Sequence, residues 1–131
     1  MSNNITPFLM FEGKAEEAMN LYISLFSHSS VIKLERYGVN DGEMAGKIKI
    51  AYFELNGREY MAIDSNVKHA FTFTPSFSLF VECETEKELT HFFNSLTKEG
   101  EVLMPLDHYG FSKKFAWVND QFGISWQLNL S

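Results

Sequence analysis

The sequence predicts an α+β domain built from two copies of a βαβββ unit. Three observations carry that prediction. An apolar strand followed by an amphipathic helix occurs twice, about seventy residues apart. Each helix is followed by material for three strands. The last strand of each unit is entered through a glycine-containing turn, at Asn56-Gly57 and around Phe122-Gly123. At 131 residues the chain fits one domain, with module one at about 1–66 and module two at about 74–131.

The elements follow in order. Residues 5–11 read as a strand, and Lys14 to Phe26 as a helix whose apolar stripe is Ala15, Ala18, Met19, Tyr22, Leu25 and Phe26. Strands are then expected at Ser30–Tyr37, Lys47–Glu54 and Arg58–Asp64. The second unit opens with a strand at 76–82. A helix follows, with Leu89, Phe92, Phe93 and Leu96 on one face and Thr85 and Glu88 forming a capping box at its start. Its three strands fall at Glu101–Met104, Lys113–Asn119 and Ile124–Leu130. Leu21-Tyr22 and Phe92-Phe93 occupy matching places on the two helices. A ferredoxin-like domain with spare strands is the alternative arrangement of the same elements.

Strand alternation divides each sheet into two faces. Phe77, Leu79 and Val81 share one side, and Ser76, Ser78 and Phe80 the other. At the end of the chain Ile124, Trp126, Leu128 and Leu130 oppose Ser125, Gln127 and Asn129. The apolar side is expected against the helix, where each large side chain gains roughly 1.5–3 kcal/mol from burial. The mixed side is left to line a concave surface, a polar wall holding aromatics.

Composition narrows the function. A formal net charge of -6, with basic residues scattered and only Lys113-Lys114 adjacent, excludes nucleic acid as the expected partner. No apolar run approaches the roughly twenty residues of a membrane span, and no signal peptide is visible at the N-terminus. The single cysteine, Cys83, excludes an intrachain disulfide and fits a reducing compartment. A cytoplasmic protein is expected.

Four stretches resemble a known family. Pro7-Phe8-Leu9-Met10-Phe11-Glu12-Gly13-Lys14-Ala15-Glu16-Glu17-Ala18, followed by Tyr22, is similar to the opening of PhnB-like proteins. Trp117-Val118-Asn119-Asp120-Gln121-Phe122-Gly123-Ile124-Ser125-Trp126-Gln127-Leu128 is similar to their closing strand pair, and Phe53-Glu54-Leu55-Asn56-Gly57 and Phe73–Val81 also match. The resemblance implies the vicinal oxygen chelate superfamily of glyoxalase I, extradiol dioxygenases and antibiotic-resistance binding proteins. Its fold is a cup of paired βαβββ modules, usually assembled as a homodimer.

Metal-using members of that superfamily place His, His and Glu, often with another acidic ligand, at four stations on the cup. Matching by motif puts those stations near Thr6, Met61, Ser76 (Ser78 if the register slips) and Gln127. Hydroxyls, a thioether and an amide are poor donors for Zn, Fe, Mn or Ni, so no metal and no cofactor is expected. Relatives often carry the label 3-demethylubiquinone-9 3-methyltransferase. An adenosyl methyl donor usually needs a Gly-rich strand–helix turn with an acidic ribose partner, and no G-x-G-x-x-G occurs.

The cup lining is expected to be Thr6, Phe8, Met10, Met61, Ser76, Ser78, Phe80 and Gln127, suited to a flat or hydrophobic ligand held by two or three hydrogen bonds. Loops at Gly38–Gly46, Ser65–Pro75 and Leu106–Phe111 could close over it. Asp64, His69 and His108 are the weaker candidates for acid–base work. His28 and His91 read as surface histidines, Cys83 as a semi-buried thiol, and Trp126 as core. Trp117 is balanced between core and ligand contact. The leading expectation is a metal-free small-molecule-binding protein. The alternatives are an enzyme of the lyase, oxygenase or isomerase type, and a dimerisation module whose cup is filled by Phe8, Met10 and Phe80.

Overall fold

The structure, a computed structural model, describes residues 3–131. It divides after His69 into two compact units. In the first, β1 (Phe8–Phe11), α1 (Ala15–Leu25), β2 (Ser30–Arg36), a 3-10 segment (Val39–Met44), β3 (Ile48–Leu55) and β4 (Arg58–Asp64) follow in sequence. In the second come β5 (Ser78–Glu82), α2 (Glu86–Thr97), β6 (Glu101–Asp107), β7 (Lys114–Asn119) and β8 (Ser125–Leu130). Each unit is one four-stranded sheet, ordered β1-β4-β3-β2 and β5-β8-β7-β6. In both, the opening strand lies parallel against the closing one, and the other pairs are antiparallel. The two βαβββ modules of the sequence are two copies of one topology.

Helix faces supply the cores. Ala15, Ala18, Met19 and Tyr22 of α1 are buried, as are Leu9, Phe11, Ala51, Phe53 and Ala62 in the first unit's sheet. In the second unit the buried set is Leu89, Phe92 and Leu96 of α2 with Ala116, Val118, Trp126 and Leu128. The alternation in β8 thus puts Trp126 and Leu128 on the helix side, as its pattern predicts.

The two helices are started differently. In α2 the Thr85 hydroxyl accepts from Glu88 N at 3.1 Å, while the Glu88 carboxylate takes Glu84 N, one residue before the expected capping-box donor. Helix α1 is preceded by Lys14, whose side chain caps nothing. Its cap comes from 49 residues away. Asp64 Oδ1 accepts from Gly13 N (2.8 Å) and Ala15 N (2.9 Å), and Asp64 Oδ2 accepts from Ile48 N at 3.0 Å. One buried carboxylate ties the helix start to two strands.

Several boundaries differ from expectation. Strand β5 begins at Ser78 and not at 76, because residues 74–77 form a turn around Pro75, closed by Phe77 N to Thr74 O. Ser76 therefore lies before the strand, exposed, its hydroxyl paired with that of Thr74. Phe77 is 64% exposed and does not join Leu79 and Val81 on the helix side. Likewise β1 begins after Pro7, leaving Thr6 outside it. Strand β6 runs on to Asp107, with register shifts on either side of Met104 where Pro105 lacks a ladder donor. The expected loop at Leu106–Phe111 is shorter by those two residues.

Candidate functional site

The side of each sheet away from its helix is the mixed side, and cross-strand register arranges it in rows. In the second unit Phe80, Gln127, Trp117 and Met104 stand opposite one another across β5, β8, β7 and β6. One row over, Ser78 opposes Ser125, Asn119 and Glu101. On the other flank, Glu82 opposes Asn129, Phe115 and Asp107. The first unit repeats the central row as Phe8, Met61, Tyr52 and Lys33, with the Lys33 ammonium 4.6 Å from the Tyr52 ring centroid. An aromatic on the opening strand and another on the third strand flank the central residue in both units. That residue is Met61 in one and Gln127 in the other.

The rows also give the correspondence between the two units. Phe8 pairs with Met61 and Phe80 with Gln127, so the counterpart of Thr6, two residues before Phe8, is Ser78 and not Ser76. Ser78 sits inside a hydrogen-bonded chain. Trp117 Nε1 donates to Ser125 Oγ at 2.8 Å, the Ser125 and Ser78 hydroxyls pair at 2.9 Å, and Ser78 Oγ donates to Pro75 O at 3.4 Å. Gln127 Nε2 donates to Ser78 Oγ at 3.3 Å. Phe80 beside it is 59% exposed, and Phe8 in the first unit is 51% exposed. Met10 and Met61 are half-buried.

Trp117 and Ser125 were not among the expected lining residues. The signal was present: hairpin register through the turn after Asn119 pairs Trp117 with Gln127 and Asn119 with Ser125. That turn is fixed by Asp120, buried, whose Oδ1 accepts from Phe122 N and Ile124 N and whose Oδ2 accepts from Trp126 Nε1. At the far end of the same face, Phe115 is buried beneath Tyr109 and Phe111, with the Phe111 ring 5.0 Å away and edge-on.

The weaker acid–base candidates stand apart from these rows. Asp64 is on the helix side of β4, opposite in parity to Met61, and its carboxylate already holds the three backbone donors. His69 Nε2 pairs with Ser65 Oγ at 3.0 Å. His108 is exposed, with Nδ1 at 2.7 Å from Ser112 O. Cys83 is buried, and burial, reinforced by Glu88 and Glu82, pushes its thiol up to about 12.

The donor chemistry does not fit a transition metal. Thr6, Met61, Ser78 and Gln127 offer hydroxyl, thioether and amide groups, and among the described residues no three His, Cys, Asp or Glu side chains converge. Nor is the start of α1 arranged for a nucleotide phosphate, since its amides at Gly13 and Ala15 face the Asp64 carboxylate. Among the described residues no helix is long and apolar enough to cross a membrane.

Comparison with known proteins gives the family and the fold. The chain matches the protein family described as 3-demethylubiquinone-9 3-methyltransferase over residues 3–129. It is similar to a PhnB protein of Bacillus cereus at 55% identity, covering 98% of this chain and 100% of that one, with a TM-score of 0.95. Protein PA1353 of Pseudomonas aeruginosa superposes with a TM-score of 0.80 at 24% identity, over 99% and 98% of the two chains. The fosfomycin resistance protein FosX of Listeria monocytogenes shares the fold, with a TM-score of 0.64 at 10% identity over 100% and 94%. No curated protein matches the chain.

Proposed function

Because this chain belongs to the PhnB-like, 3-demethylubiquinone-9 3-methyltransferase family of the vicinal oxygen chelate superfamily, we propose that it binds a small, flat organic molecule on its open sheet faces without a transition metal. One observation carries the reading. In the second unit a hydroxyl–amide–indole chain, Trp117–Ser125–Ser78–Gln127, occupies the face where metal-using relatives need imidazole and carboxylate. Exposed Phe80 beside it gives a flat ligand apolar surface, and the polar chain gives it orientation. Methyl transfer finds no support in the residues present, and neither Asp64, His69 nor His108 stands in the rows. The working form in this reading is a homodimer, as the superfamily resemblance implies, in the cytoplasm, whose reducing conditions suit the single cysteine Cys83.

The two tryptophans make the test internal. Trp117 Nε1 is on the mixed face, donating to Ser125 Oγ, whereas Trp126 Nε1 is buried against Asp120. A fragment collection of planar heterocycles, screened by 1H–15N NMR, is expected to contain compounds that shift the Trp117 indole resonance and leave that of Trp126 in place. A collection in which no planar compound moves Trp117 overturns the reading. So does stoichiometric binding of a transition metal at neutral pH.

A further inference from the structure

We propose that Gln127 is the specificity-determining residue of this face and selects an uncharged lactam or cyclic imide, a ring presenting an N–H beside a C=O. The inference rests on the binding reading above and deepens it.

Proton counting around Ser78 carries the argument. The Ser78 hydroxyl has one proton, and two acceptors stand within reach of it, Pro75 O at 3.4 Å and Ser125 Oγ at 2.9 Å. Whichever of the two takes it, Ser125 Oγ keeps a lone pair for Trp117 Nε1. Ser78 Oγ has two lone pairs. One of them takes Gln127 Nε2–H. With no proton left to give, Ser78 fixes which end of the Gln127 amide faces it: the NH2, not the oxygen.

Gln127 is consequently held with Oε1 uncommitted and one N–H remaining, half-buried in the row between Phe80 and Trp117. A carboxamide with a free acceptor and a free donor pairs in bidentate fashion with a partner carrying a donor next to an acceptor in one plane. Flat rings on either side favour a planar partner. Charge argues against an anion. The three rows of this face contain Glu82, Glu101 and Asp107 and no Lys or Arg. Hydrogen bonding from Asn129 and Ser131 holds the Glu82 carboxyl below its ordinary range, so it is ionised at neutral pH. The first unit has Met61 at the matching position and lacks the amide altogether.

Three ring-matched probes test this on the full-length protein: quinolin-2(1H)-one, its N-methyl analogue, and quinoline-2-carboxylate. Dissociation constants are read from the Trp117 indole resonance. The lactam is expected to bind about tenfold more tightly than the N-methyl compound, the change from losing one hydrogen bond to Gln127 Oε1, and the carboxylate more weakly still. Gln127→Met, which installs the first unit's own residue, is expected to bring lactam and N-methyl lactam within about twofold of each other while flat-ring binding persists. If all three probes bind equally to the unaltered protein, or if Gln127→Met keeps the discrimination, Gln127 is not the selector and the binding reading survives. If none of the probes moves Trp117, the binding reading falls and this inference with it.

Discussion

Asp64 and Asp120 show how single carboxylates do work that local sequence leaves undone. Each is buried and each takes three N–H donors, Asp64 from Gly13, Ala15 and Ile48, Asp120 from Phe122, Ile124 and the Trp126 indole. Asp64→Asn presents an NH2 to at least one of those donors. A buried donor left unmatched costs about 1–3 kcal/mol, and losing a charged acceptor adds to it. We expect a loss of about 2–3 kcal/mol, measured as a lower urea midpoint at unchanged denaturant slope. Cys83 provides the pH dependence. Its folded thiol sits at about 12, above the ordinary value near 8.5, so the neutral form is favoured by folding. The stability it contributes is complete below about pH 8.5 and declines as pH rises toward the folded value, by at most about 1.4 kcal/mol per unit. Urea midpoints at pH 8 and pH 10 are expected to fall more for the unaltered chain than for Cys83→Ala. Tyr60, also raised by burial, contributes a slope that both proteins share.

Among the elements, those whose signals are local were readable and those set at a distance were not. Thr85 caps α2 from its own backbone neighbourhood, so Thr85→Ala is expected to cost about 1 kcal/mol, visible in the thermal midpoint. The Asn56-Gly57 turn was equally legible: both residues have positive φ (50° and 80°), as a two-residue hairpin turn demands, and Leu55 pairs directly with Arg58. Parity placed Gln127, Ser78 and Phe80 on one side and Trp126 and Leu128 on the other. The cap of α1 could not be foreseen, because nothing near Lys14 announces that the acceptor is Asp64. For the same reason Asp64 looked like a candidate acid when it is a helix anchor. The strand start at Ser76 failed through turn chemistry, since Thr74-Pro75 closes a turn that period-two alternation does not register. Trp117 and Ser125 were recoverable by adding register to parity, a step that needs the length of the Asp120–Gly123 turn and not merely its presence.

For the molecule as a whole, the question is whether two copies of one topology fold as one. Each unit holds some 60–70 residues, a size that buries only about 60% of its unfolded surface and is marginal alone. Each also leaves large apolar groups uncovered within itself, Phe8 and the β2 residues Val31, Ile32 and Leu34 in the first, Phe77 and Phe80 in the second. Units of this size can fold alone, and whether these two do so or gain stability from one another is a measurable property. The sequence supplies a reporter for this, because both tryptophans lie in the second unit while Asp64 lies in the first. If the units are coupled, Asp64→Asn lowers the midpoint seen by tryptophan fluorescence as much as the midpoint seen by far-UV circular dichroism, in one transition. We expect that coincidence. A tryptophan transition that stays in place while the circular dichroism curve splits in two would mean that each βαβββ unit stands by itself, and that the exposed aromatics are held ready for a ligand at no cost to the partner unit.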